Sequence, residues 1–184
     1  MTPDLHHHLR RSIRLRGYDY AQAGAYFVTI CAHNHARLFG AVVDGEMHVN
    51  DVGRIVKDEW LRTGTLRSYV RVLPQEFVVM PNHVHGIVWL LDRDVPAETT
   101  IPKPGGSRRQ SLGAILAGFK AASTKRVNIR RAMPGAPVWQ RSYYEHIIRN
   151  DESLDDIRRY IAENPARWAF DRENPSRVWR GDRW

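Results

Sequence analysis

The sequence predicts an α+β domain, a small antiparallel sheet with helices packed on one face. Three observations carry this. The segments run strand, helix, two strands, helix, strand, helix, with no internal repeat. The strand candidates are rich in β-branched and aromatic residues. The helix candidates set apolar residues three and four apart behind a capping side chain.

The first strand is AYFVTICAH (25–33). Residues 39–49 carry Gly40 and Gly45 between short apolar runs and predict a hairpin. Asn50 or Asp51 then caps a helix, with Val52, Ile55, Val56, Glu59 and Trp60 at helical spacing. FVVMPNHVHGIVWLL (77–91) reads as two strand pieces broken at Pro81. Residues 92–110 hold Pro96, Pro102, Pro104, Gly105 and Gly106 without apolar periodicity, which predicts a flexible loop inside the domain. Ser111 caps a second helix reaching about Arg130, with Leu112, Ile115, Leu116, Phe119 and Ala122 on its apolar face. A turn at 133–137 leads into the strand candidate VWQRSYYEHIIR. Asp151 or Ser153 caps a last helix, which ends before Pro165.

A chain of 184 residues, 42% of them apolar, suits one compact domain with a real core. No apolar run approaches the roughly 18 residues of a membrane helix, so no membrane partner is expected. The basic start MTPDLHHHLRRSIRLRG lacks an apolar core and is not read as a secretory signal; His6, His7 and His8 read as a solvated terminus. The single Cys31 cannot form an intrachain disulfide; it reads as a core strand residue and fits a reducing cytoplasm. Lys plus Arg number 28 against 20 acids, a net charge of +8, and the pI is near 10.1. Such a surplus points to a polyanionic partner. Arginines cluster near 10–16, 107–109, 125–131 and 172–183, and a guanidinium fork matches phosphate oxygens. Aromatics interleave with them, as with Trp179 and Trp184 among Arg177, Arg180 and Arg183, a mixture suited to single strands.

Two motifs carry chemistry. On a strand, residues i and i+2 share a face, so His83 and His85 in PNHVHGIVWL project side by side while Val84 enters the core. Two imidazoles on a rigid strand make half of a metal site; the alternative is a packed or solvated pair. In LDDIRRYIAENP, Tyr160 and Asn164 lie four apart on one helical face. The Asn164 carbonyl is a hard donor suited to Mg²⁺ or Mn²⁺. A Tyr hydroxyl beside a metal-bound phosphate is a candidate nucleophile. Against this stand a packing Tyr and an Asn that merely ends a helix before Pro.

Together these residues resemble a known family. PNHVH followed by an apolar strand resembles the HUH motif, His–hydrophobic–His. YIAEN resembles the tyrosine-helix motif, in which Gln or Asn follows Tyr four residues later. With VWQRSYYEHIIRN and RRYIAENPARW they look like the REP-associated tyrosine transposases, relatives of the insertion-sequence single-tyrosine transposases. The resemblance runs from about Gly17 to Asn174 and includes VGRIVKDEW, EFVVMPNHVHGIV and SLGAILAGFKAASTKRVN. It implies a ferredoxin-like HUH fold with the catalytic Tyr160 on the last helix. It implies His83, His85 and Asn164 around one Mg²⁺ or Mn²⁺. It implies cleavage and rejoining of single-stranded DNA beside hairpins through a 5′-phosphotyrosine. Insertion-sequence relatives usually carry Gln in place of Asn164, which is shorter by one methylene and has the weaker case for direct metal contact. Those relatives often exchange the tyrosine helix within a dimer; the REP-associated branch implies a monomer, with a dimer as the alternative.

The remaining candidates follow from position. His146 is either a further ligand or a support behind the ligands, against a hydrogen-bonded structural role. Lys120, Lys125 and Arg126 on the second helix, and Arg177, Trp179 and Arg180 near the end, are candidate DNA contacts. Tyr143 and Tyr144 are not read as nucleophiles, and His33, His35 and His48 are unassigned. The domain plan is a basic arm (1–16), the catalytic domain (17–170) and a basic, aromatic tail (171–184) too polar for the core. Two other functions compete: a catalytically silent binder of hairpin DNA and a hydrolytic metalloenzyme. The latter would want acidic ligands or a general base near the histidines.

Overall fold

The computed structural model describes residues 18–92 and 110–177. Most of the expected loop at 92–110 lies outside the described residues, as do the arm at 1–16, Trp179, Arg180 and Trp184. The sheet is built on β1 (Gly24–Cys31) and β6 (His83–Leu90), which pair antiparallel from Gly24↔Leu90 to Cys31↔His83. β7 (Tyr144–Ile148) adds to the other side of β1. The short β4 (Val70–Arg71) and β5 (Phe77–Val79) share the outer edge of β6. A separate hairpin, β2 (Gly40–Val43) with β3 (Glu46–Val49), stands beside the five-stranded sheet.

Both central strands are buried on both faces, which explains their largely apolar character. On one face Tyr26, Val28, Ile30, Val84 and Val88 meet α1 (Asp51–Thr65) and α2 (Leu112–Arg131). Trp60 of α1 stacks on Phe77 at 4.6 Å and meets Phe119 of α2 edge-on at 5.3 Å. On the other face Ala25, Phe27 and Ile87 lie under Leu154, Ile157 and Ile161 of α3 (Asp151–Glu163).

The α+β class and the antiparallel sheet are as expected, but the helices do not all share one face. A sheet apolar on both sides must be covered on both, and α3 supplies the second cover. Asn50 caps α1, accepting from the Gly53 amide at 2.9 Å, and Ser111 caps α2. The α3 cap is Asn150, one residue before the expected Asp151; its side chain accepts from the Ser153 amide at 2.8 Å. Ala122 is exposed, and Ser123 takes the inward position. That hydroxyl donates to the Phe119 carbonyl at 2.7 Å and accepts from Trp139 Nε1 at 2.9 Å, so a polar residue is satisfied in the core. Cys31 sits half-buried at the rim of the sheet rather than in the core. No helix among the described residues is long and apolar enough to cross a membrane.

Gly86 stands where β6 meets Trp60. A Cβ there would lie 2.5 Å from Trp60 Cζ2 and 2.9 Å from Phe77 Cδ2. Gly86→Ala is therefore expected to lower stability by about 1–3 kcal/mol through overpacking, read as a fall in the urea midpoint.

Candidate functional site

The second face of the sheet carries the candidate residues. His83 and His85 alternate with Val84 along β6, so both imidazoles point toward α3 while Val84 enters the larger core. Their Nε2 atoms stand 2.9 Å apart. Tyr160, one helical turn before the end of α3, brings its hydroxyl to 3.3 Å from His85 Nε2. Phe27 stacks on the His85 ring at 5.5 Å and meets the Tyr160 ring edge-on at 6.0 Å, which fixes both rings.

A hydrogen bond behind its ring sets the tautomer of His83, and the one behind His85 leaves both tautomers open. The Asn82 amide nitrogen donates to the carbonyls of Glu173 at 2.6 Å and His35 at 3.3 Å. Its oxygen therefore faces His83 Nδ1 at 2.8 Å and can only accept. His83 thus carries its proton on Nδ1 and presents a lone pair at Nε2. His85 Nδ1 lies 2.8 Å from the Thr29 hydroxyl, which can donate or accept. Thr29 therefore permits His85 to place either a proton or a lone pair at Nε2. Burial, followed by the nearby charge of His35, lowers the His83 pKa to about 3. Burial also holds His85 well below its ordinary value, with His83 adding to the effect and Asp171 opposing it. Both rings are neutral near pH 7, the form that binds metals.

Asn164 sits a turn beyond Tyr160 and is 2% exposed. Its side chain acts to lower the pKa of the Tyr160 hydroxyl, and its Oδ1 has no hydrogen-bond partner among the described residues. A buried carbonyl oxygen left unpaired is costly, and a cation is one way to satisfy it. Asp171 joins the group from the segment after α3: its carboxylate lies 3.9 Å from His83 Nε2, and His83, His85 and Asp171 could together hold an ion. Burial first, and then Asp171, push the Tyr160 hydroxyl above its ordinary pKa, while Asn164 acts in the opposite direction.

Sequence reasoning placed His83, His85, Tyr160 and Asn164, which lie on this face of the sheet, and missed Thr29, Asn82 and Asp171. Neither histidine is open to solvent: His83 is 0% and His85 2% exposed. The cover is the segment 165–177, including residues assigned to a polar tail. Asp171 and Asn174 are buried, and Trp168 leans over His83 with ring centroids 6.1 Å apart. Arg37 holds this cover, donating to Asn174 Oδ1 at 3.1 Å and Ser176 Oγ at 3.0 Å.

His146 pairs with Phe27 across β1 and β7 and lies outside the cluster. Tyr143 packs on the larger core and Tyr144 on the α3 side. Lys120 donates to the carbonyls of Gln140, Arg141 and Ser142, and desolvation lowers its pKa to about 8. Arg126 pairs with buried Glu59 at 2.7 Å. Both residues thus serve the fold, on a helix packed against the face opposite the histidines. Lys125 is exposed, and Arg177 is half-buried.

One ion pair fixes the pose of α3. Glu76 is fully buried and accepts from Trp89 Nε1 at 2.6 Å and from Arg158 Nε and Nη2 at 2.9 and 2.7 Å. Arg158→Ala leaves that carboxylate with one partner. The expected cost is about 2 kcal/mol, discounted because Arg158 is partly solvated. Amide exchange should quicken about tenfold or more along α3, with β1 and β6 unchanged.

No family model matches the chain. A solved structure of a REP-associated tyrosine transposase bound to a REP hairpin superposes with a TM-score of 0.57 at 18% identity, covering 84% of this chain and 73% of that one. An uncharacterized protein of Haemophilus influenzae is 41% identical over 172 residues, 89% of this chain and 92% of that protein. That identity, over most of both chains, places this protein in one family with the Haemophilus protein, on the fold of the REP-associated tyrosine transposase.

Proposed function

We propose that this protein is a metal-dependent, single-tyrosine transferase that cleaves and rejoins single-stranded DNA beside hairpins of the REP type. The observation that carries the reading is the approach of the Tyr160 hydroxyl to the His83–His85 pair within one chain, at 3.3 Å. Tyr160 Oη would attack the phosphorus while the bond to the 3′ oxygen breaks. The products are a 5′-phosphotyrosine and a free 3′ hydroxyl; the phenol gives up its proton and the leaving oxygen gains one. The phosphodiester energy is conserved in the new bond, so a second 3′ hydroxyl can reverse the step.

The residues fit a divalent ion. Two nitrogens about 2.1 Å from one ion in adjacent octahedral positions lie about 3.0 Å apart, close to the 2.9 Å between the Nε2 atoms. His83, His85 and Asp171, with the unpaired Asn164 oxygen nearby, would hold Mg²⁺ or Mn²⁺. Bound there, the ion supplies charge stabilisation for the scissile phosphate and favours the phenolate. That second contribution is needed, because the surroundings of Tyr160 otherwise disfavour ionisation. The +8 charge supports a nucleic-acid partner. Lys125, Arg177, Trp179 and Arg180 are the proposed strand contacts. Because Tyr160 already reaches the histidines of its own chain, the reading needs no exchange of helices and takes the protein as a monomer acting in the cytoplasm.

One observation favours the silent hairpin binder instead: the histidines are covered. Incubating the full chain, with Mg²⁺ or Mn²⁺, with hairpin-bearing single strands from the DNA flanking its gene separates the readings. A transferase yields a protein–DNA adduct that survives denaturation. Tight binding without any adduct or cleavage supports the silent binder.

A further inference from the structure

A second cluster of donors lies at the rim of the sheet, joined to the histidine pair through Asn82 but made of different side chains. Cys31 ends β1, His35 lies in the tight turn His33–His35, and Glu173 lies in the segment covering the site. The Cys31 thiol donates to Glu173 Oε2 at 3.3 Å, and His35 Nδ1 lies 3.3 Å from the same oxygen. The three donor atoms all fall within 4.8 Å of one another.

The backbone is bent to bring His35 there. Asn34 and His35 both adopt left-handed conformations, at φ 53° and 51°. Two consecutive non-glycine residues in that region carry strain that the surroundings must hold. One restraint is Asn82, which donates to the His35 carbonyl.

We propose that Cys31, His35 and Glu173 form a second cation site, for a borderline-soft divalent ion of the zinc class. Ligands 2.0–2.3 Å from a tetrahedral ion lie about 3.3–3.7 Å apart, and two edges of the cluster already measure 3.3 Å. Three protein ligands leave a fourth position for water. On binding, the S–H bond breaks and its proton goes to solvent; thiolate and carboxylate then balance the two positive charges. The site differs from the histidine pair in kind. It offers sulfur, and His35 (41%) and Glu173 (25%) are partly exposed, so an ion can enter from solvent. Its ion would tie the end of β1 and the following turn to the segment that supplies Asp171.

The chain has one cysteine, so a thiolate-to-cobalt charge-transfer band reports this site alone. The experiment titrates Co²⁺ into the chelator-treated full chain and follows the near-ultraviolet spectrum, with circular dichroism confirming that each variant folds. The band is expected to saturate, at one equivalent in the His83→Ala/His85→Ala double variant where the other proposed ion site is removed, and to vanish with excess Zn²⁺. It should be absent in Cys31→Ser, and weakened at least tenfold in affinity in Glu173→Gln and His35→Ala. It should persist in the His83→Ala/His85→Ala double variant, which keeps this result separate from the fate of the transferase reading. A wild-type protein without the band overturns the proposal. So does a band that Glu173→Gln and His35→Ala both leave unchanged, since a lone thiol would then explain it.

Discussion

Tyr160→Phe is expected to abolish the covalent DNA adduct, lowering cleavage by at least about 1,000-fold, while hairpin affinity stays within about twofold. The substitution removes one oxygen and keeps the ring. The contacts with Phe27 and His85, at 6.0 and 5.1 Å, therefore survive, and α3 stays docked. The measurement is a denaturing gel of labelled strand, with peptide mapping of any residual adduct. Tyr144 is the decisive control, because it packs in the same small cluster as Tyr160. An adduct on Tyr144 in the wild-type protein would overturn the nucleophile assignment.

The second large effect concerns the imidazoles. His83→Ala/His85→Ala should reduce adduct formation to background and remove a divalent-ion site detectable by calorimetry with Mn²⁺. Chelation of the wild-type protein should reproduce the loss of activity, and added Mg²⁺ or Mn²⁺ should restore it. This second arm guards against a folding artefact, since the double variant empties space beside Thr29 and Asn82 and strips both of a partner. Asn164→Ala is expected to slow cleavage about tenfold without erasing it, because two imidazoles and Asp171 can still hold the ion. Undiminished adduct after chelation would remove the metal from the reaction.

Much of this arrangement was legible because it rests on local periodicity. A strand with apolar residues on both of its faces must be buried on both, and alternation puts His83 and His85 on one of them. Helical spacing likewise aligns Tyr160 with Asn164. That this helix faces those histidines was not local information; only the likeness to a known family linked the two motifs. Thr29 and Asn82 escaped notice because a Thr in a strand and an Asn after Pro look alike whether or not an imidazole waits behind them. Asp171 was lost in a stretch judged by its polarity, although a polar segment can be buried when each group finds a partner. Lys120 and Arg126 show the reverse case, cations on a helix whose partners lie within the fold. A cation on a helix is the same letter whether it meets water or, as Arg126 does, a carboxylate 67 residues away.

The cover over the histidines has a consequence for binding equilibria. At 0% and 2% exposure, His83 and His85 cannot touch a phosphodiester in the arrangement seen. On the transferase reading, a strand must therefore engage the fraction of molecules in which residues 165–177 stand aside, and its apparent affinity scales with that fraction. If about 1% of molecules are open, the measured dissociation constant is about 100-fold weaker than the intrinsic one. Arg37, which donates to Asn174 and Ser176 and lies 5.7 Å over the Trp168 ring, then sets a gating equilibrium. Loosening it would tighten DNA binding, although Arg37 touches neither the metal ligands nor the nucleophile.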